Sequence, residues 1–173
     1  MRVIEVVPHR PEWFTSFAEE AARISQGLNK TLVRIHHIGS TAIPGLAAKP
    51  IIDILLEVSS LAELDEAAPS LAALDYEAKG AFGIERRRYF QKGGDARTHQ
   101  IHAFAIDDPH IVRHLAFRDY LQAHPDILQA YEGLKLHVAA SCNHDIDVYC
   151  DGKSAFVAHH EPRAVAWYLS ERS

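Results

Sequence analysis

Cysteine is scarce in this sequence of 173 residues. The two cysteines, Cys142 and Cys150, are separated by seven residues and lack the CxxC spacing of a common zinc site. Two cysteines are also too few for the disulfide frameworks that stabilise small secreted domains. The sequence therefore predicts two ordinary reduced thiols and no structural zinc centre.

Long apolar segments are missing as well. The longest apolar run, residues 51–58, is broken by Asp53 and Glu57 and is much shorter than the roughly 20 residues that span a bilayer. Residues 1–8 contain no charged segment followed by an apolar one, so they do not resemble a signal peptide. These absences predict a protein that has no membrane partner and is located in the cytoplasm.

Positive charge is not in excess. The chain has 18 Lys and Arg against 23 Asp and Glu, which gives a formal net charge of −5 with histidine neutral. This charge balance argues against long nucleic acids as partners, because binding their phosphates requires a basic surface. The composition still allows a small basic pocket for one phosphorylated ligand, and it does not determine the oligomeric state.

What the sequence contains is the composition of a folded protein, with 47% apolar and 24% charged residues. The length fits one ordinary domain that buries a substantial core. No internal repeat, low-complexity tract or linker interrupts the chain. We therefore predict a single domain over residues 1–173.

Apolar periodicity and turn signals predict the order of the secondary-structure elements. Helices are predicted over residues 10–29, 60–74, 110–123, 125–141, 145–159 and 162–173. Strands are predicted over residues 31–38, 50–58, 75–79, 84–92 and 98–106. The almost continuous apolar character of residues 50–58 indicates a strand that is covered on both faces. This order predicts an α+β fold with a mixed β-sheet packed against helices and a helical C-terminal half, rather than a doubly wound parallel sheet.

The most informative segment is residues 36–54, in which a strand ends at Gly39, a turn follows, and the next strand carries one acid. Gly39 has no Cβ and so lets a ligand approach the backbone closely. Ser40 and Thr41 offer hydroxyl and N–H groups that can hold a phosphate. Asp53 stands among apolar residues, where a carboxylate needs a metal ion or a positively charged side chain as its partner.

This arrangement resembles the signature of the nucleotidyltransferase superfamily, in which the Gly-Ser turn holds the triphosphate and the strand acids bind Mg²⁺. The string over residues 37–54 is more closely similar to the GrpB family. The resemblance continues in order along most of the chain, through residues 88–90, 99–102, 114–121, 124–125, 131, 134–135, 149 and 153. It implies a nucleotidyltransferase-like fold. GrpB-like domains also occur fused to dephospho-coenzyme A kinase, which implies a role in coenzyme A or nucleotide metabolism or in assisting the folding of the kinase.

The sequence departs from the catalytic pattern of the superfamily at the second acid. Catalytic members usually carry two acids two positions apart, so that both point to one face of the strand. Here the second position is Leu55, and Glu57 lies a further two residues along, roughly 6–7 Å by strand rise. The predicted strand over residues 98–106 has no acid and offers His102. A two-metal mechanism is therefore not expected. The alternative is one Mg²⁺ held by Asp53 and His102, although magnesium prefers oxygen ligands.

Several basic side chains are candidate phosphate ligands, each with a structural alternative. Arg86 and Arg88 share a strand face with Lys92, which predicts either a basic wall or the charges of a protected edge strand. His114 and Arg118 lie one helical turn apart on one face. The Arg118 guanidinium would either bind a phosphate bidentately or form an ion pair within the chain.

Two Tyr-xxx-Lys pairs, Tyr131 with Lys135 and Tyr149 with Lys153, either line one pocket or extend over the core. Lys49 either reaches a phosphate or is a solvated loop residue. The predicted site has Asp53 as catalytic residue and Asp53 and His102 as metal ligands. Its predicted phosphate ligands are Gly39, Ser40, Thr41, Lys49, Arg86, Arg88, His102, Arg118, Tyr131, Lys135 and Lys153. Of the whole set, convergence on one cleft is predicted for Ser40, Asp53, Arg88, His102, Arg118 and Lys135.

These observations favour a protein that binds a nucleotide or another phosphorylated small molecule with Mg²⁺ and has weak or absent catalysis. The first alternative is an active nucleotidyl or phosphoryl transferase that acts on a small acceptor. The second is an accessory module in coenzyme A or nucleotide metabolism. Leu55 at the second acid position favours binding without turnover.

Overall fold

A computed structural model of the chain, which describes residues 2–173, contains a five-stranded sheet. The strands follow the order β1-β2-β5-β4-β3 across it. Strands β2 and β5 are parallel, whereas the other neighbouring pairs are antiparallel, so the prediction of a mixed sheet is confirmed. The strand bounds are β1 Leu32–Ile38, β2 Ile52–Val58, β3 Glu77–Ala78, β4 Arg88–Lys92 and β5 His99–Ala105.

One face of the sheet is covered by helices α1 (Glu12–Leu28) and α2 (Leu61–Ala72). Their apolar sides, with Ile24 and Leu64 fully buried, pack against Ile54 and Leu56 of β2. Ser60 caps the N-terminus of α2, because its side chain accepts a hydrogen bond from the backbone N–H of Glu63. The contacts between these two helices and the sheet form the largest apolar cluster among the described residues.

The opposite face of the sheet is covered by helix α3 (Pro109–Ala123), against which α4 (Pro125–Ser141) and α5 (Ile146–Glu171) pack. Here Leu55 of β2 and Phe104 of β5 pack with Leu115 and Ala116 of α3. Strand β2 is therefore buried on both faces, as its nearly continuous apolar sequence predicts. The functional side chains also lie on this face, at the end of the sheet where β1 finishes.

The C-terminal segment differs from the prediction of two helices, because α5 continues through Pro162. Proline lacks the N–H that would bond the carbonyl oxygen of Ala158, four residues earlier. Both residues are exposed, so water can satisfy that carbonyl group. Phe156 before the proline and Ala164 after it are both held in apolar clusters, which keeps the two halves aligned as one helix.

Within residues 2–173, no helix combines the length and the apolar character needed to cross a membrane. Cys142 is buried, Cys150 is exposed, and both are free thiols. The single-domain organisation and the cytoplasmic location stay predictions.

Candidate functional site

The site is built where β1 ends beside the start of β2. Ile38 pairs with Asp53 in the antiparallel ladder, so Gly39 follows directly against the Asp53 carboxylate. Gly39 adopts φ +72° and ψ −173°, a conformation that is essentially restricted to glycine. A Cβ on Gly39 would also lie only 2.6 Å from Asp53 Oδ2. Glycine is therefore needed both for the turn and for the space that the carboxylate occupies.

We expect Gly39→Ala to lower the free energy of unfolding by about 2–4 kcal/mol, from backbone strain plus the clash with Asp53. Gly45→Ala is the matched control, because Gly45 also has a positive φ but an added Cβ there meets nothing within 4 Å. Urea denaturation of both variants measures the difference. Equal destabilisation of the two variants would show that the contact with Asp53 does not matter.

The Asp53 carboxylate has two hydrogen-bonding neighbours on β5. His102 Nε2 lies 3.2 Å from Asp53 Oδ1. With its amide group oriented to satisfy both ends, Gln100 donates to the same oxygen at 3.0 Å and accepts from Arg97 at 3.1 Å. The Asp53 side chain is 26% exposed, so the carboxylate is held in place yet still reaches the cavity.

Arg87, the residue before β4, is the arginine of this segment that contacts His102. Its side chain donates to the carbonyl oxygens of Ala81 at 3.1 Å and Phe82 at 2.8 Å, and its Nη1 lies 3.3 Å from His102 Nδ1. A guanidinium group only donates hydrogen bonds, so His102 Nδ1 must accept. His102 Nε2 therefore carries the proton that is shared with Asp53. With both ring nitrogens engaged, His102 does not fit the predicted role of metal ligand.

Three lysines enter the same cavity from different parts of the chain. Lys49 comes from the loop before β2, Lys135 from α4 and Lys153 from α5. The Nζ atoms of Lys49 and Lys153 lie 4.8 Å and 4.3 Å from the ring centre of Tyr149. Lys135 is 2% exposed and donates to the carbonyl oxygen of Ala47 at 2.9 Å. Both Tyr-xxx-Lys pairs thus line one cavity of about 280 Å³. We call it the lysine cavity.

Burial makes the charged form of these lysines costly. The pKa of Lys135 is well below its ordinary value because of burial and, next, the charges of Lys153 and Lys49. Burial and then Lys49 lower the pKa of Lys153 to about 8. Among the described residues that line the cavity, Asp53 is the one acid. The cavity therefore brings together three amino groups whose charged form is disfavoured in the empty site and would be favoured by a bound anion.

Two histidines at or beside the cavity, His114 and His37, add little charge at neutral pH. Burial, followed by the neighbouring His102 and Arg113, holds the pKa of His114 well below its usual range. Burial lowers the pKa of His37 to about 4, and its Nε2 lies 2.9 Å from Thr41 Oγ1. The lysines and Asp53 are therefore the main charged groups that His114 and His37 leave at the cavity.

The structure brings most of the predicted site residues together. Those that line the lysine cavity are Gly39, Ser40, Thr41, Lys49, Asp53, His102, Tyr131, Lys135 and Lys153. Three predicted residues do not line it: Arg86, Arg88 and Arg118. Of the six residues predicted to converge on one cleft, Arg88 and Arg118 lie outside it, so the prediction is wrong for these two.

Arg86 and Arg88 lie elsewhere for local reasons. Arg86 precedes β4 in a turn with φ +66°, is mostly exposed, and pairs with Asp108 at 3.1 Å. Arg88 does share a strand face with Lys92, but this face points to the α1 and α2 side. There Arg88 forms two hydrogen bonds with Asp65 of α2, at 2.8 Å and 3.1 Å. The predicted basic wall is thus on the wrong face of the sheet.

Arg118 forms an ion pair within the chain, which was the predicted alternative to phosphate binding. Its Nε donates to Asp119 at 2.8 Å, and its Nη1 donates to the carbonyl oxygen of His37 at 3.0 Å. His114 lines the lysine cavity, but one helical turn advances about 5.4 Å along α3 and carries Arg118 past the Gly39 turn. Arg118 therefore secures the end of β1 and lines a separate groove beside Phe17.

Arg87 and Gln100 are site residues that the sequence reasoning did not select. A signal for both was available in the period-2 alternation of strands. Gln100 lies two positions from His102, and Arg87 lies two positions from Tyr89, which pairs with His102. Recognising Arg87 required the register between β4 and β5, which the single sequence does not define.

Position 55, where catalytic members of the superfamily carry the second acid, is buried in the apolar core. Leu55 is fully buried and packs among Ile38, Phe104 and Leu115. Glu57 is buried further along β2, where it pairs with Arg34 at 3.2 Å and His36 at 2.6 Å. Across residues 2–173, no group of three His, Cys, Asp or Glu side chains is arranged to hold a metal ion.

A Gly-Ser turn beside a strand acid, on a mixed sheet with helices on both faces, defines a protein of the nucleotidyltransferase fold. The crystal structure of Cid1 poly(U) polymerase with MgGTP bound shares it, with a TM-score of 0.51 and 16% identity. The match covers 75% of this chain and 42% of that chain. At this identity the likeness shows the fold alone.

The chain belongs to the GrpB family, whose sequence profile, described as GrpB protein, matches residues 3–163. The crystal structure of conserved protein GrpB from Enterococcus faecalis has a TM-score of 0.91 and 39% identity, covering 95% of this chain and 99% of that one. UPF0157 protein YqkA of Bacillus subtilis is 43% identical over 96% of this chain. The chain spans 48% of that relative's length. The predicted family and fold are thus confirmed.

A relative named dephospho-CoA kinase, from Mycolicibacterium paratuberculosis, is 32% identical over 95% of this chain. The matched region is 46% of that relative, so more than half of its length has no counterpart in this chain. The predicted association of such domains with a dephospho-coenzyme A kinase is consistent with this match.

Proposed function

We propose that the protein binds the phosphates of a nucleotide or another phosphorylated small molecule in the lysine cavity. The observation that carries this proposal is the convergence of Lys49, Lys135 and Lys153 on one cavity that has Asp53 as its acid. Holding buried ammonium groups together is unfavourable, and a bound polyphosphate would replace their repulsion with charge-assisted hydrogen bonds. A chain with net charge −5 has no general reason to build such a cavity.

The donor set argues against a resident magnesium ion. Among residues 2–173, Asp53 is the one carboxylate that lines the cavity. His102 has both nitrogens engaged, and the lysines repel cations. Magnesium prefers several oxygen ligands and keeps much of its water. We therefore place Mg²⁺, where it participates, on the phosphates of the ligand, with Asp53 as the protein group available to contact it.

Turnover is expected to be slow or absent. Nucleotidyl transfer requires activation of an attacking hydroxyl group and stabilisation of the leaving pyrophosphate, which two metal ions held by several acids commonly share. Leu55 supplies no ligand, and Glu57 is committed to Arg34 and His36. The fold alone favours the alternative of an active transferase, so a direct assay must decide between the two.

The experiment is calorimetry with inorganic tripolyphosphate and with each nucleoside triphosphate, with and without Mg²⁺. We expect Asp53→Asn to leave tripolyphosphate binding without Mg²⁺ unchanged or tighter, because it removes a negative charge, and to weaken binding of the magnesium complexes. A sensitive assay should detect no pyrophosphate release from the wild type. Rapid release that Asp53→Asn abolishes would establish the active transferase. No binding of any of these ligands would contradict the proposal.

A second candidate is an accessory module in coenzyme A metabolism, and the observation that favours it is the relative named dephospho-CoA kinase. In that case dephospho-coenzyme A should bind the lysine cavity more tightly than nucleoside triphosphates do. Competition between dephospho-coenzyme A and tripolyphosphate in the same calorimeter measures this. Equal or weaker binding of dephospho-coenzyme A would remove the candidate.

A further inference from the structure

A second cavity, of about 380 Å³, adjoins the lysine cavity, and Lys49 and Ile51 line both. Two guanidinium groups, those of Arg2 and Arg97, also line the second cavity. We call it the arginine cavity. Because Lys49 borders both spaces, a ligand with its phosphates in the lysine cavity can extend past Lys49 into the arginine cavity.

The N-terminal segment that follows Arg2 is anchored at two points, Ile4 and Val7. Ile4 is buried in an apolar cluster with Tyr149, and its N–H donates to His144 Nδ1 at 3.0 Å. Val7 exchanges two backbone hydrogen bonds with Ala48, each of 2.9 Å. These anchors place Arg2 beside Lys49, so Arg2 forms part of a built wall.

Arg97 is connected to the candidate site, whereas part of Arg2 lacks a partner. Arg97 donates to the carbonyl oxygen of Gly94 at 3.0 Å and to the amide oxygen of Gln100 at 3.1 Å, and Gln100 in turn donates to Asp53. Arg2 Nη2 is buried and has no hydrogen-bond partner in the part of the chain that the structure describes. Buried donors are normally satisfied, so this nitrogen is available to an acceptor on a bound ligand.

The lining of the arginine cavity does not suit a second phosphate. Glu5 and Asp95 line it together with the guanidinium groups and offset their charge. Much of the remaining wall is apolar, from Val3, Pro50 and Ala96. A flat ring with polar edges fits this mixture, because bases stack on guanidinium planes and accept hydrogen bonds from them.

We infer that the ligand is a nucleoside polyphosphate whose base occupies the arginine cavity, stacked on Arg2 or Arg97, while its phosphates occupy the lysine cavity. This inference rests on the proposed function, because it assigns the organic part of the same ligand. It also gives the buried Arg2 Nη2 an acceptor on the edge of the base.

The experiment compares inorganic tripolyphosphate, which tests the lysine cavity alone, with the four nucleoside triphosphates under one set of conditions. We expect at least one nucleoside triphosphate to bind about tenfold more tightly than tripolyphosphate, as one stacked base contributes. Arg2→Lys and Arg97→Lys keep the charge and remove the flat guanidinium. At least one of these variants should abolish that advantage and leave tripolyphosphate binding unchanged. Arg10→Lys is the control, because Arg10 is an arginine of the same N-terminal region that lines a different cavity.

The outcomes separate this inference from the proposed function. Binding of tripolyphosphate with no added affinity for any nucleoside triphosphate overturns the base assignment and leaves the phosphate site intact. The base assignment is also overturned if Arg2→Lys and Arg97→Lys weaken the binding of tripolyphosphate and of nucleotides equally. The two arginines would then act on the phosphates. No effect of either variant overturns it too. Failure of tripolyphosphate and all nucleotides to bind contradicts both proposals.

Discussion

Replacing Lys153 with methionine is expected to weaken tripolyphosphate binding at pH 7 by about 10- to 100-fold, the effect of losing one charged hydrogen bond. The same change should raise the free energy of unfolding of the ligand-free protein by roughly 1–3 kcal/mol. The reason is that burial and Lys49 lower the pKa of Lys153, so its charge is unfavourable in the empty site. Loss of the contact between Lys153 and the Tyr149 ring reduces the gain.

The sign of the pH dependence follows from the same group. The pKa of Lys153 is about 8 in the folded protein and 10.5 in an unperturbed lysine, so the unfolded chain binds more protons between these values. Stability of the ligand-free protein should therefore rise as pH increases from about 8 to about 10.5. Tripolyphosphate affinity should fall above pH 8, because the neutral amine no longer attracts phosphate. Lys153→Met should reduce both trends.

Thermal denaturation and calorimetry across this pH range measure the two effects. Lys30→Met is the matched control, because Lys30 is exposed and lies outside the lysine cavity. The control should change neither affinity nor its pH dependence. A Lys153→Met protein that is less stable and binds tripolyphosphate normally would mean that Lys153 is a structural residue.

Replacing Leu55 with aspartate is expected to lower the free energy of unfolding by about 4 kcal/mol or more, instead of restoring a catalytic acid. Leu55 is fully buried against Phe104 and Leu115, so an aspartate there would lack both water and a charged partner. Leu55→Met is the control and should cost less than about 1.5 kcal/mol, because it nearly conserves volume and apolar character.

Chemical denaturation of both variants, followed by the pyrophosphate-release assay with Mg²⁺, tests this prediction. A stable Leu55→Asp protein that releases pyrophosphate would show that the position is open to a metal ion. In that case the protein would be one substitution from catalysis, and packing would not explain the missing acid.

The parts of the site that could be predicted from the sequence are those that neighbouring residues define together. Gly39, Ser40 and Asp53 lie within one strand-turn-strand segment, and the antiparallel pairing of β1 with β2 brings its two ends together. The Tyr-xxx-Lys spacing of α4 and α5 likewise fixes each tyrosine and lysine on one side of its helix. Both helices happen to face the same cavity, and the tertiary structure alone decides that.

The wrong predictions concern residues whose spacing shows that they share one face of a strand or helix. Spacing does not show which part of the protein that face packs against. Alternation correctly grouped Arg88 with Lys92, yet it could not tell that this group faces α2, with Asp65, and that Arg87 faces His102. Helical spacing grouped His114 with Arg118, yet the position of α3 across the sheet separates them.

By itself, the sequence determined the order of the elements up to the C-terminal helix, the mixed sheet, the Gly39-Ser40 turn beside Asp53, and the absence of a second acid at position 55. These features depend on residue type and on short-range periodicity, which a single chain displays directly. Only the tertiary structure decided that Arg87 fixes the His102 tautomer and that Lys49, Lys135 and Lys153 share one cavity. Those relations depend on strand register and helix packing between distant residues, whose geometry is set by the whole core.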